Sequence, residues 1–361
     1  MSLAICALTA GGAALARRLG TLLPEAEVWL PEKLRSDDGC HYSDIGMANL
    51  LPQLFRRGHG LISIMATGIV VRSLAPQLRN KALDPAVVVL DEAGEFAISL
   101  LAGHLRGANA LTRQVAALLK ATPVITTATD VNGLLAWDEA ARLAGLAIEP
   151  LERIRTLNSL LLQGEKIALV DRERLISGSF AATPGIELAP NFSAANLAGA
   201  AGRVFVTEGL IPQLELEENL LLLRPRRLVL GIGCNRHTTQ EEITHAVYEV
   251  LTSEGFALLA VSRIASISEK GDEAGLLAFA AELRLPLTTY SHEELNSVRS
   301  PSPPSAHALA AVGAHGVCEP AALLAAEGGP LLIPKQKCGN VTVAVARLNR
   351  PTSGEDIEYE R

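Results

Sequence analysis

The chain has 361 residues, more than one ordinary core accommodates and enough for two or three domains. Its 48% hydrophobic and 20% charged residues are those of a well-packed soluble protein, and a net charge of −7 withholds the basic face that nucleic-acid binding needs. Aromatics at 4% leave an aliphatic core, so an anionic ligand has to be held by local basic residues and helix N-termini rather than by stacking.

The five cysteines, Cys6, Cys40, Cys234, Cys318 and Cys338, are scattered, with no CxxC and no Cys/His cluster at zinc spacing. That argues against a disulfide framework or a bound metal and fits a reduced cytoplasm. The start, MSLAICALTAGGAALA, has the small residues of a signal peptide but no basic n-region, and Arg17–Arg18 follow the apolar run. It reads as a strand over 3–8, a turn at Gly11–Gly12 and a helix from about Ala13. No apolar run is long enough to cross a membrane.

Residues 1–60 alternate short strand and helix patterns, with EVWL at 27–30, a polar loop KLRSDDGCHYSD and a helix ending at Arg57. Apolar, β-branched runs at 61–66, 86–90 and 123–127 predict strands of a parallel sheet with functional loops at their carboxyl ends. PAVVVLDEAGEFAISLL predicts two strands joined around Glu92–Glu95, and ANALTRQVAALLKA an amphipathic helix with Leu111, Val115, Leu118 and Leu119 on one face. From Val131 to Arg224 the patterns weaken: helices at 133–145 and 151–163, strands at 166–170 and 204–208, a loop-rich span over 177–203, then LRPRR at 223–227 as a linker. A strand at 227–234 opens a last patterned unit. Its helix carries two overlapping capping boxes, Thr238 with Glu241 and Thr239 with Glu242, and stops at Gly255. Strand 257–267, helix 272–284, strand LPLTTY, helix 291–297, a mobile loop SVRSPSPPS, helix EPAALLAA and two strands follow. The fold class is α/β and multi-domain with mainly parallel sheets: an N-terminal domain over 1–131, a middle region over 132–224, a C-terminal domain over 225–348 and a flexible tail over 349–361.

Chemistry concentrates in a few loops. In ATGIVVR, Thr67 and Gly68 offer a hydroxyl and backbone amides, and Arg72 a bidentate donor for an anion; a plain strand–helix turn explains them as well. In GHLRGAN, Gly103 and Gly107 bracket His104 and Arg106 before a helix that Asn109 is placed to cap. His104 titrates near neutrality and suits general acid or base work, against the alternative of a surface histidine. TTATD brings Thr126, Thr127 and Asp130 to another strand end, where Asp130 either caps a helix, orients His104 or meets the substrate. Asp84, with Lys81 and Arg79, begins a strand and is expected at the opposite edge.

GIGCNR fails the dinucleotide fingerprint because Arg236 stands where the third glycine belongs, yet Gly231, Gly233 and Arg236 remain candidates for an anion. Cys234 reads as inert, ASISEKGDE contributes Ser266, Ser268, Lys270 and Glu273, with helix capping explaining Ser268 as well, and KQKCGN contributes Lys335 and Lys337. Walker A, GxSxG and HExxH are absent.

In order, ATGIVVR, DPAVVVLDEAGEFAISLLAGHLRGAN and PVITTATD, then GIGCNR, ASISEKGDEAGL, ELRLPL, EPAALLAA and VTVAVAR, resemble the cobalamin-biosynthesis CbiG family, the cobalt-precorrin-5A hydrolases, over roughly residues 1–347. One departure is visible: Arg106 stands where that family usually has glycine. The resemblance implies hydrolysis of a δ-lactone on a cobalt-bound macrocycle and loss of its two-carbon unit as acetaldehyde, giving cobalt-precorrin-5B. Cobalt then arrives with the corrinoid substrate, water is the co-substrate, and no protein-bound cofactor is implied. On this reading His104 is the general base, with Asp130 orienting it or serving as an alternative base. Substrate contacts fall to Thr67, Gly68, Arg72, Gly103, Arg106, Asn109, Thr126 and Thr127, and across a domain cleft to Arg236, Lys270, Glu273 and Lys335. Membrane and nucleic acid are not expected as partners, whereas a homo-oligomer and transient contact with other enzymes of the pathway stay open. The rival readings are a non-catalytic tetrapyrrole-binding module and a phosphate- or nucleotide-binding enzyme using the helix at Asn109.

Overall fold

Three sheets carry the structure, a computed structural model that describes residues 2–80, 83–197, 199–211 and 218–349. The chain divides into two compact units, residues 1–142 with 161–164 in the first and the remaining described residues in the second. In chain order the first unit contains β1 (Leu3–Ala7), α1 (Ala10–Leu22), β2 (Ala26–Pro31), β3 (His41–Ser43), α2 (Met47–Arg56), β4 (Gly60–Ile64), α3 (Thr67–Leu74), β5 (Val87–Leu90), β6 (Phe96–Leu101), α4 (Ala108–Leu119), β7 (Thr122–Val124), α5 (Ala128–Val131) and α6 (Trp137–Leu143), which ends at the boundary. The polar stretch expected as loop thus contributes β3.

These strands form one sheet in the order β3-β2-β1-β4-β5-β6-β7. Burial on both faces explains why β1 is apolar throughout. Leu3, Ile5 and Ala7 pack with Ala13, Ala16 and Leu19 of α1, while Ala4 and Cys6 pack with Leu50, Leu51 and Leu54 of α2. Every pairing is parallel except β5 with β6, where Val87 faces Leu101 and Leu90 faces Ala97. That one reversal decides where the loops lie. The β6 and β7 strands end at the edge where β1, β4 and β5 begin.

The second unit opens with β8 (Leu146–Glu149), α7 (Ile154–Leu162), β9 (Ile167–Val170), β10 (Ile186–Leu188), α8 (Phe192–Leu197), β11 (Gly202–Val206) and β12 (Leu220–Pro225). They make a sheet β10-β9-β11-β12-β8 in which only β8 runs antiparallel. LRPRR is no linker. Arg224 ends β12 at 1% exposed, with Nε 2.8 Å from Glu149 Oε2, and Arg227 is buried with Nε donating to Glu208 Oε1 at 2.7 Å. Distant carboxylates neutralise both guanidinium groups, which is what lets so polar a stretch enter the interior.

Beyond it come β13 (Leu228–Cys234), α9 (Gln240–Ser253), β14 (Val261–Ile267), α10 (Ala274–Glu282), β15 (Leu287–Tyr290), α11 (His292–Asn296), α12 (Ala306–Val312), α13 (Cys318–Ala325), β16 (Leu331–Cys338) and β17 (Val341–Arg347). The sheet order is β15-β14-β13-β17-β16, with the first two pairings parallel and the last two antiparallel. The period of two in β13 sorts its sides: Leu228, Leu230 and Ile232 meet Ile243, Val247 and Phe279, while Val229 packs among the alanines of α13. Of the two capping boxes read in sequence, Thr239 with Glu242 forms. The tail from residue 350 lies outside the described residues.

Candidate functional site

The GHLRGAN loop is a tight connection from β6 to α4. Ala102 and Gly107 take positive φ, and the Asn109 amide donates to the Gly103 carbonyl at 2.9 Å. A Cβ at position 103 would stand 2.9 Å from Asn109 Oδ1, so glycine is required for the turn to close over the Asn109 side chain. The helix starts at Ala108 after Gly107, so Asn109 lies within the first turn and does not cap it. Its buried amide accepts from Ser99 Oγ at 2.6 Å and donates to Thr127 Oγ1 at 2.9 Å and to Asp130 Oδ2 at 3.0 Å. Asn109 therefore uses both amide hydrogens and one oxygen lone pair to position its neighbours.

His104 sits between two carboxylates. Its Nε2 is 2.8 Å from Asp130 Oδ2, and its Nδ1 is 3.5 Å from Asp138 Oδ1. Thr129 Oγ1 approaches Nε2 at 3.3 Å, Thr127 donates to Asp130 Oδ2, and Arg113 pairs with Asp130 Oδ1. The imidazole is 14% exposed, and Asp138 is buried. Burial by itself lowers the histidine pKa, but the hydrogen bonds and charges of Asp138 and Asp130 outweigh it and raise the group to about 9. Asp130 moves the other way: burial raises it, and Thr127, His104 and Arg113 together hold it below the usual carboxylate range. At neutral pH the resting pair is imidazolium and carboxylate. The two carboxylates thus favour the charged imidazolium of His104, the form that can donate a proton.

The loops do not form one rim. Thr67, Gly68 and Arg72 open α3 at the carboxyl end of β4, beside β1 where the strand order reverses, and Arg72 lies over Gly68. His104 and Asp130 lie at the other edge, separated from that end by the length of β5, on the order of 10 Å. The reversal at β6 also brings the start of β5, with Asp84 accepting from the Arg79 amide at 3.2 Å, to the His104 edge. The expectation for Asp84 is thereby corrected, while Lys81 lies outside the described residues. Thr126 is exposed and Arg106 half-buried in the two loops at this edge.

The C-terminal domain has a separate cleft of about 560 Å³. Parallel β13 and β14 end there, so the GIGCNR and SEK loops meet, and the β16–β17 turn joins them. Arg236, Lys270 and Lys335 all line it. Glu273 does not: it is buried, takes Lys270 Nζ at 3.0 Å on Oε2 and accepts the His237 amide at 2.8 Å. Gly231 faces α13, where a Cβ would stand 1.8 Å from the Cys318 carbonyl oxygen, so close helix packing explains it and anion binding does not. Burial raises the Cys234 thiol, in keeping with an inert group.

Family models cover almost all of this architecture. The cobalamin synthesis G N-terminal model matches residues 49–130, the cobalamin biosynthesis central region 135–225, and the cobalamin synthesis G C-terminus 228–346. A cobalt-precorrin-5A hydrolase of Priestia megaterium is 37% identical over 354 residues, 96% of this chain and 94% of that protein. The chain belongs to the cobalamin synthesis G family. A cobalt-precorrin-5A hydrolase of Salmonella typhimurium is also 37% identical, over 91% of this chain and 92% of its own length. Among solved structures, CobE, a protein from the cobalamin (vitamin B12) biosynthetic pathway, matches 35% of this chain and 92% of its own at 34% identity, with a TM-score of 0.32.

Within this family member, sequence reading missed several groups. Asp138, the Nδ1 partner, stands eight residues beyond Asp130 in the first turn of α6, and Arg113 lies one turn after Asn109 on α4. An acidic first turn reads as helix capping, which hid Asp138. Lys337, read in sequence together with Lys335, lies two residues after it on β16 and lines the cleft as well. No described helix is long and apolar enough to cross a membrane.

Proposed function

We propose that this chain is a cobalt-precorrin-5A hydrolase. The observation that carries the reading is similarity to two proteins of that name along 94% and 92% of their lengths, which leaves no domain of either unmatched by more than a short segment. In the reaction, water adds to the δ-lactone carbonyl, the acyl–oxygen bond breaks, and the ring oxygen leaves as a hydroxyl. Removal of the hydroxyl proton then cleaves the adjoining C–C bond. Its electron pair passes to the conjugated macrocycle, which takes up a proton, and acetaldehyde departs. Cobalt enters as part of the substrate, and the chain itself supplies proton transfer and orientation.

The His104–Asp130 pair is the group we assign to proton transfer. Its imidazolium gives a proton to the departing ring oxygen while the two protons of the added water pass to solvent as the new carboxylate forms, and the neutral imidazole left behind takes the hydroxyl proton in the second step, which returns the pair to its resting form. Asp138 orients the ring through Nδ1. Arg106 and Thr126, in the loops beside the pair, are assigned to substrate carboxylates. The five cysteines, all free thiols, support a reduced cytoplasm as the compartment. The test is to incubate the purified protein with cobalt-precorrin-5A and measure acetaldehyde. Release at catalytic rates is expected; substrate binding without release would replace this reading with that of a carrier.

A further inference from the structure

The cleft in the C-terminal domain has two unlike walls. One is cationic: Arg236, which also pairs with Asp272 at 2.6 Å, and Lys270, Lys335 and Lys337 line it against the carboxylate of Glu269, in a chain whose net charge is −7. Lys270 is the fixed member. It closes the turn after β14, is buried, and gives Glu273 one of its three N–H donors. Glu273 is in turn fixed by the His237 amide, so the ammonium is held in place before any ligand arrives. Lys335 and Lys337 alternate along β16 and reach the cleft from the other side.

The facing wall is aliphatic. Ala308, Ala311 and Val312 of α12 line the same cleft, yet no residue of that helix is buried. The strap bearing α12 is tied at its ends. Ser305 donates its amide to the His315 carbonyl at 2.7 Å, Asn296 bonds Gly313 and His315, and the buried carboxylate of Glu319 holds Ser302 and the Lys335 amide. A largely apolar helix that presents Ala308, Ala311 and His307 to the cleft and packs Val312 on the domain core is a wall for a ligand with apolar faces and an anionic fringe. A volume of about 560 Å³ falls within the roughly 300–1,000 Å³ of small-molecule sites.

We infer that this cleft binds a carboxylate-fringed macrocycle edge-on, with Lys270 as the buried anchor for a carboxylate, Arg236, Lys335 and Lys337 as outer contacts, and α12 against the ring face. The inference rests on the proposed reaction for the identity of the ring, which is its substrate. It concerns residues of the second unit, none of them in the His104–Asp130 pair, and each can fail alone.

Uroporphyrin I, a stable octacarboxylate ring, is the probe, titrated into the full chain and followed by its Soret band. Saturable, salt-weakened binding is expected, with Lys270→Met weakening it about tenfold or more and the Lys335→Met/Lys337→Met pair several-fold. Because Lys270→Met leaves Glu273 buried without its cation, Ala308→Trp on the exposed helix provides an independent block by filling the cleft. Lys166→Met, which removes an equal charge from the residue before β9, should leave binding unchanged. No binding by the wild type, or equal binding by Ala308→Trp and the lysine variants, overturns the cleft; equal loss in Lys166→Met reduces it to a net-charge effect and overturns it too. Acetaldehyde release is read separately: wild-type release with an unaltered KM in the lysine and tryptophan variants sinks the cleft and spares the reaction, whereas absent release with intact, Lys270-dependent binding does the reverse.

Discussion

His104 and Asp130 share a proton position across 2.8 Å, between Nε2 of one and Oδ2 of the other, although 26 residues of chain separate them. Asn109, Thr127 and Arg113 all converge on the same carboxylate. A carboxylate so heavily satisfied favours its ionised form and, with Asp138, the charged form of the histidine.

Replacing His104 with Ala should lower acetaldehyde release by about two orders of magnitude or more, the usual scale of a lost acid–base group. The far-ultraviolet circular dichroism should be unchanged, since the side chain lies at the sheet edge and outside the packed core. Turnover at the wild-type rate would remove His104 from the reaction.

The charge on His104 also sets a pH window. Its folded pKa is raised to about 9 from an ordinary 6.5, so its contribution to stability is full below about 6.5 and is lost as pH rises through 9. Denaturant midpoints of wild type and His104→Gln should therefore converge between those limits. Imidazole titration by nuclear magnetic resonance should give a midpoint near 9, moved down by Asp138→Asn. A wild-type midpoint near 6.5 would contradict the assigned acid.

Glu208 binds two cations at once, Arg227 Nε at 2.7 Å and Arg347 Nη2 at 2.6 Å. Glu208→Ala should destabilise the second unit by about 3 kcal/mol, the low end for breaking a buried ion pair because Arg227 keeps Glu173. Glu173→Ala, half-exposed, should cost at most about 1 kcal/mol. Equal losses in urea unfolding would show that burial of Glu208 carries no weight.

Gly231→Ala separates packing from ligand binding. With the Cys318 carbonyl oxygen in the way, the added methyl must push α13 off the sheet, and a loss of about 3 kcal/mol or more is expected. Unchanged thermal unfolding with weakened ligand binding would instead restore the anion-binding role first considered for this glycine.

Much of the fold is written locally. The all-buried strands at 61–64 and 87–90, the stripe on α4 and the cap at Thr239 follow from periodicity and hydrogen-bonding chemistry that neighbouring residues settle among themselves. The hairpin at Glu92–Glu95 was legible too, but its consequence was not, because strand direction shows only when the whole sheet is assembled. LRPRR misled for a related reason: its arginines enter the interior on the charges of Glu149, Glu173 and Glu208, and nothing near them in the chain announces those partners.

The sequence alone thus determined most elements of the two terminal parts, the α/β class and, through ordered motifs in both, the family. Only the tertiary structure decided that His104 meets Asp138 as well as Asp130, that Thr67 and Arg72 lie at the opposite sheet edge, and that Lys270, Lys335 and Lys337 share one cleft. Periodicity and capping act over a few residues and survive in the string. Sheet pairing and the meeting of charges join residues tens of positions apart, and these exist only once the chain is folded.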